Sequence, residues 1–192
     1  MSDEHERLRA DARRNRDAML AAARRVFARD GIDAPLEAIA REAGLSRATQ
    51  HRHFPTRDRL IRAIFDDNLE ALARIAGQTP DPADAYVATL LAVVDMLARD
   101  RGFVDVFNHR VVSDDVKQEI ADRFLTILAE PLAAAQAAGR VCDELELQDT
   151  ILLLDMLGAA VSLTGPARPA RRRDRAIALL LRAIRPACEP AA

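Results

Sequence analysis

The chain has 192 residues, 49% of them apolar, with seven glycines, no tryptophan and a formal net charge of −2. That is enough for one large domain or two small ones around a sizeable core. The charged opening from Met1 to Arg16 is unlike a secretory signal, and no apolar run reaches the ~20 residues a bilayer span needs.

Glycine and proline punctuate the sequence at helical intervals, and alanine, leucine and arginine favour helix over strand. About nine helices are expected, with no period-two strand pattern and no internal repeat, so the fold class is all-α. A charged arm, residues 1–12, precedes a first predicted helix from Asn15 to Arg29, whose stripe of Met19, Ala22, Val26 and Phe27 ends at Asp30-Gly31. Pro35 opens a second that Gly44 stops. Ser46 caps a third, Arg47 to His53. Thr56 caps a fourth, to about Ile75. The stretch Gly77 to Pro82 is the clearest break, so residues 13–76 form one expected domain and 77–192 the other. Beyond it come predicted helices Ala83 to Arg99, Phe103 to Val111, Asp115 to Ala138 with Pro131 as a kink, Gln148 to Leu163 and Asp174 to Ile184.

Charge is split between these halves. From Arg9 to Arg62 there are 13 arginines and seven acids; from Ala63 to Ala170 there are eight basic residues and 18 acids. A basic front on an acidic body suits a polyanion-binding module attached to a body that does not bind polyanions. Cys142 and Cys188 are far apart and form no CxxC pair, which reads as free thiols in a reducing, cytoplasmic setting.

The segment Leu36 to His53 has the shape of a helix-turn-helix. Two short helices cross steeply only where the residues at the crossing are small, and Ala40 supplies that. Gly44 can take the left-handed turn conformation, and Ile39, Ala43 and Leu45 give the apolar seam. The third helix then stands proud and fits the major groove of B-DNA. Arg47, Gln50, His51, Arg52 and His53 crowd donors onto it, with hydroxyls from Ser46 and Thr49. Arg57 and Arg59 follow at the start of the next helix.

Three stretches carry a family likeness: Ala22-Ala23-Arg24-Arg25-Val26-Phe27-Ala28-Arg29-Asp30-Gly31, Ile39-Ala40-Arg41-Glu42-Ala43-Gly44-Leu45-Ser46, and Arg52-His53-Phe54-Pro55-Thr56-Arg57-Asp58-Arg59-Leu60. In this order and spacing they resemble the DNA-binding domain of the tetracycline-repressor (TetR) family, over about Arg13 to Phe65. The resemblance implies that Arg47, Ala48 and Arg52 lie at the base-reading face, that Thr49, His51, His53 and Arg57 touch phosphates, and that Phe54 packs under the third helix. Two positions depart from the family. Gln50 stands where an apolar leucine normally joins the core, so either a polar amide points inward, at ~1–3 kcal/mol if unsatisfied, or the helix is rotated. His51 replaces a tyrosine that normally donates to a phosphate. Arg57 replaces a lysine.

The likeness beyond Phe65 is one of helix count. In the family this region encloses a ligand pocket, for which the candidates are Phe103, Phe107, Asn108, His109, Phe124, Leu128 and Met156, with the polar pair orienting a small, largely apolar effector. The last two predicted helices are too apolar for one-sided burial. The resemblance assigns Ile151, Leu154, Ile177, Leu180, Leu181 and Ile184 to a four-helix bundle with a second copy. Neither a nucleophile–base set, a phosphate loop nor metal-ligand spacing is present, so an enzyme, a cofactor and a metal are not expected. The expected function is a homodimeric regulator that binds double-stranded operator DNA, acting as a repressor released by its effector. The other reading keeps the DNA-binding module but lets the C-terminal part only dimerise.

Overall fold

The computed structural model describes residues 2–99, 112–162 and 169–186. Among these residues there are eight helices and no strand: α1 Ser2–Asp30, α2 Leu36–Glu42, α3 Arg47–His53, α4 Arg57–Gln78, α5 Pro82–Arg99, α6 Asp114–Ala137, α7 Asp149–Ser162 and α8 Pro169–Ala183. The helix expected from Phe103 to Val111 lies outside the described residues.

Two helices start earlier than their apolar stripes. In α1 the charged arm is helical, although residues 4–7 and 9–14 are exposed. No glycine or proline interrupts it, its residues are mostly strong helix formers, and Arg14 pairs with Asp11 one turn back. The start of α8 at Pro169 is similar, because proline suits a first helical turn. Apolar periodicity marks where a helix is buried, not where it begins.

The chain divides into two compact units, with one division within α4 between Asp66 and Asp67. The described part of the first unit is 2–66 and 112–117. In it α1 buries Met19, Leu20, Ala23, Val26 and Phe27, α2 buries Ile39 and Ala40, and α4 buries Leu60, Ile61 and Ile64. Full burial of each large side chain stabilises by about 1.5–3 kcal/mol relative to exposure.

The second unit comprises described residues 67–99, 118–162 and 169–186. Its helices α5, α7 and α8 pack mutually. A buried hydrogen bond of 2.8 Å joins the Tyr86 hydroxyl of α5 to Thr150 of α7. Burial raises the Tyr86 pKa, an effect the Thr150 bond opposes. Pro131 lies within α6, which continues to Ala137. The α6–α7 connection is pinned by Gln136, whose Nε2 reaches the carbonyls of Cys142, Asp143 and Leu145 at 3.1, 3.3 and 2.9 Å. No described helix is long and apolar enough to cross a membrane.

Candidate nucleic-acid interface

The helix-turn-helix is built by local bonds. Gly44 has φ +69°, a backbone conformation that costs other residues dearly. That conformation lets Leu45 N–H reach back to the Ala40 carbonyl at 2.9 Å and Gly44 N–H to Arg41 at 3.1 Å, closing the end of α2. Ser46 then caps α3: its Oγ accepts the Thr49 N–H at 3.1 Å, while the two hydroxyls lie 3.0 Å apart. Ser46 and Thr49 therefore spend part of their bonding capacity inside the motif.

One face of α3 turns inward at Gln50, which is only 4% exposed. Its amide is not stranded: Nε2 donates to the Phe54 carbonyl at 2.6 Å, and Phe54 N–H donates back to the Gln50 carbonyl at 2.7 Å. A residue that spacing offered as an outward donor is thus a buried one, closing the C-terminal end of the helix. Phe54 beneath it is buried, as the resemblance implied.

At 100° per residue, turning Gln50 inward sends its neighbours out. Arg47, Ala48, His51 and Arg52 are exposed, and Thr49 and His53 half-buried. Arg47 is 82% exposed and only loosely steered by Glu37 of α2, 3.4 Å away. His53 points its Nε2 into the protein, where that atom is buried without a hydrogen-bond partner. Arg57 also faces inward. It donates through Nη1 to the Ile32 carbonyl, and through Nη2 to Ala34 at 2.8 Å and Asp33 at 3.3 Å. Burial lowers its pKa, while Asp33 opposes that shift. Sequence spacing gave no sign of this arrangement, because the partners are backbone carbonyls more than twenty residues away. Glu42 ties α2 to α1 through Arg25 at 3.0 Å and Arg29 at 3.5 Å.

The other candidate residues fall into place differently. Phe124 and Leu128 are buried on α6. Phe103, Phe107, Asn108 and His109 lie outside the described residues. Met156, offered as a cavity-lining residue, is 61% exposed. The reason is rotational: α7 buries Thr150 and Leu157, which leaves Leu152 and Met156 on its opposite side. Leu180 of α8 and Ile184 just after it are buried within the chain, while Leu179 faces outward at 49% exposure. Ile151, Leu154, Ile177 and Leu181 are half-buried. The outward apolar set is therefore Leu152, Met156 and Leu179. Among the described residues, no cluster of three His, Cys, Asp or Glu could hold a metal ion.

Comparison with known proteins follows this geometry. The family described as bacterial regulatory proteins, tetR family, matches residues 19–64, and that described as transcriptional regulator SbtR-like, C-terminal domain, matches residues 81–186. The chain belongs to the TetR family. Among solved structures, this TetR-family regulator is similar to the regulator SCO0520 from Streptomyces coelicolor, with 31% identity, 90% of this chain and 99% of that one covered, and a TM-score of 0.65. It is also similar to a TetR regulatory protein from Mycobacterium vanbaalenii, with 29% identity, coverage of 93% and 99%, and a TM-score of 0.64. FadR from Bacillus subtilis, solved in complex with stearoyl-CoA, shares the fold at 18% identity, coverage of 87% and 98%, and a TM-score of 0.65. No curated protein matches the chain. As a TetR-family member the protein is a DNA-binding transcriptional regulator.

Proposed function

We propose that this regulator is a cytoplasmic homodimeric repressor that binds a near-palindromic operator and releases it when a small, largely apolar molecule enters the C-terminal unit. The observation that carries the operator reading is the outward face of α3. Arg47, Ala48, His51 and Arg52 are presented together, on a helix whose inward side is sealed by Gln50 and Phe54. A short exposed helix with guanidinium groups on it suits direct reading of guanine edges in a major groove. Arg47 and Arg52 are assigned to bases, His51 to a phosphate.

A second copy is supported by Leu152, Met156 and Leu179, large apolar side chains left in solvent on α7 and α8. Two copies place two recognition helices on half-sites about one helical turn (~34 Å) apart or slightly more. Effector binding is supported by the burial of Phe124 and Leu128 on α6 in a unit whose interior also holds the buried polar pair Tyr86 and Thr150. It is also supported by the shared fold with FadR, which was solved holding stearoyl-CoA. Release would be linkage: the effector favours a conformation that binds DNA less well, and operator weakens effector binding by the same factor.

The experiment is selection of bound duplexes from random DNA, followed by anisotropy titrations at ~150 mM salt, a condition that strongly weakens non-specific binding. Arg47→Ala and Arg52→Ala should relax sequence preference by about 1–3 kcal/mol per lost base contact. Equal affinity for selected and random duplexes would end the operator reading. Titration of long-chain acyl-CoA, whose tail is apolar and head anionic, and separately of uncharged apolar compounds, with and without the selected duplex, tests release. Identical effector affinities in the two conditions would leave dimerisation as the sole role of the C-terminal unit.

A further inference from the structure

We propose that Arg57 is a positioning residue for operator reading: its guanidinium latches the α1–α2 turn and so fixes the helix-turn-helix, and it is not a phosphate ligand. This rests on the operator reading above. The turn comprises residues 31–35, between the ends of α1 and α2. Three consecutive carbonyls in it, those of Ile32, Asp33 and Ala34, receive Arg57 N–H groups. None of the three accepts a backbone N–H among the described residues. The turn also has no side-chain cap of its own, because Pro35 occupies the cap position of α2. Ile32 and Ala34 are buried residues whose bonds to Arg57 are part-buried, whereas the bond to Asp33 is exposed, so water replaces the guanidinium least well at the first two.

The residue type is what makes this latch possible. Guanidinium is a planar fork of five donors, able to span adjacent carbonyls, whereas ammonium is a compact point charge. A lysine at this position can meet a phosphate, but its single nitrogen lacks the fork that here divides between the Ile32 carbonyl and those of Asp33 and Ala34. Three bonds from its two terminal nitrogens are committed to the turn. Arg57 sits at the first residue of α4, directly after the loop that leaves α3. It therefore joins the exit of the recognition helix to the entry of its supporting helix.

The test uses the full chain with Arg57→Lys and Arg57→Ala, and a selected duplex alongside a random one. First, hydrogen exchange without DNA reads the latch itself: the amides of Ala34, Ala38 and Ile39, which bond to the Gly31 and Pro35 carbonyls, should exchange about tenfold faster in both variants, because local opening becomes easier. Second, at a temperature where the variants are folded, the selected-to-random affinity ratio should fall about fivefold or more, while the slope of log affinity against log salt stays at its wild-type value. A lost phosphate contact would instead lower that slope by about 0.9. An unchanged exchange pattern, or a salt slope lowered by Ala and restored by Lys, would overturn the proposal. If Arg57→Ala does not fold, Arg57→Lys decides alone, since it keeps the charge and removes only the fork. Failure of wild-type protein to prefer the selected duplex would count against operator reading and leave the exchange result standing.

Discussion

Around α3 the side chains left in solvent are hydrogen-bond donors, whereas on α7 and α8 they are large apolar groups. Arg47, His51 and Arg52 represent the first surface, and Leu152, Met156 and Leu179 the second. Each of α3 and α7 turns one side inward, Gln50 on α3 and Thr150 and Leu157 on α7. The difference lies in what remains outside. Exposed cations keep their hydration until a polyanion replaces it and releases counterions. Exposed leucine and methionine gain about 25 cal/mol for each Å² removed from water, whichever apolar surface covers them. The first surface therefore calls for specificity in its partner, and the second for shape and size, which in the proposed dimer a second copy of the same patch would supply through a two-fold axis.

The strongest way to break this comparison is to put charge on the apolar surface. Leu152→Asp with Met156→Asp should convert a micromolar dimer to monomer in sedimentation, because an unpaired charge in an apolar interface costs several kcal/mol. Operator affinity should collapse with it, since two coupled half-sites become independent. Helix content should be unchanged, because both side chains face solvent in the single chain. A variant dimer with wild-type sedimentation would place the second copy elsewhere.

A smaller effect sharpens the distinction between adjacent residues of α8. Leu180 is 5% exposed and its neighbour Leu179 is 49%. Leu180→Ala should destabilise the fold by about 2–5 kcal/mol, the usual cost of a cavity at a leucine site. Leu179→Ala should leave the unfolding of a monomeric background nearly unaltered and weaken dimerisation instead. Denaturant melts in the Leu152→Asp/Met156→Asp background separate the two, and equal losses would mean that the register of α8 has been misread.

These neighbours also show what a sequence makes legible. The helix-turn-helix was readable because its determinants are local: Ala40, Gly44 and Ser46 act within five residues of the bonds they form. In α7, and over the run 176–181 of α8, apolar residues follow one another, so periodicity could not tell Leu179 from Leu180 or Met156 from Leu157. That choice is made by packing against α5 and between the two helices themselves. Arg57 eluded spacing for another reason. The family resemblance implied a phosphate, and only the fold reveals three carbonyls within its reach.

Gln50 offers a test of the polar side. Because its amide is bonded to the Phe54 carbonyl, Gln50→Ala should cost about 1–3 kcal/mol by leaving that buried carbonyl short of a donor. Gln50→Leu loses the same bond and gains apolar packing, so its net change should stay within about 1 kcal/mol. Neither variant should alter which duplex is selected, because the side chain does not face the groove. A changed operator preference in Gln50→Leu would show that α3 rotates when its inward residue changes.

The smallest effect concerns pH. Hydrogen bonding from Arg25, with a lesser contribution from Arg29, holds the Glu42 carboxyl below its ordinary range. A carboxylate with a depressed folded pKa stabilises the fold fully above its unfolded value of about 4.3, and that stabilisation disappears as pH falls through the lower folded value. Glu42→Gln should therefore melt below wild type at pH 7, and the two should converge on acidification. The pair is exposed to solvent, so added salt should shrink the gap at pH 7 as well. Asp30, likewise held low by its bond from Arg29, keeps a residual acid dependence in the variant. Melting followed by circular dichroism at pH 7, 4.5 and 3 reads the difference. A gap that persisted unchanged at pH 3 would mean that Glu42 holds α1 to α2 through packing of its stem and not through its charge.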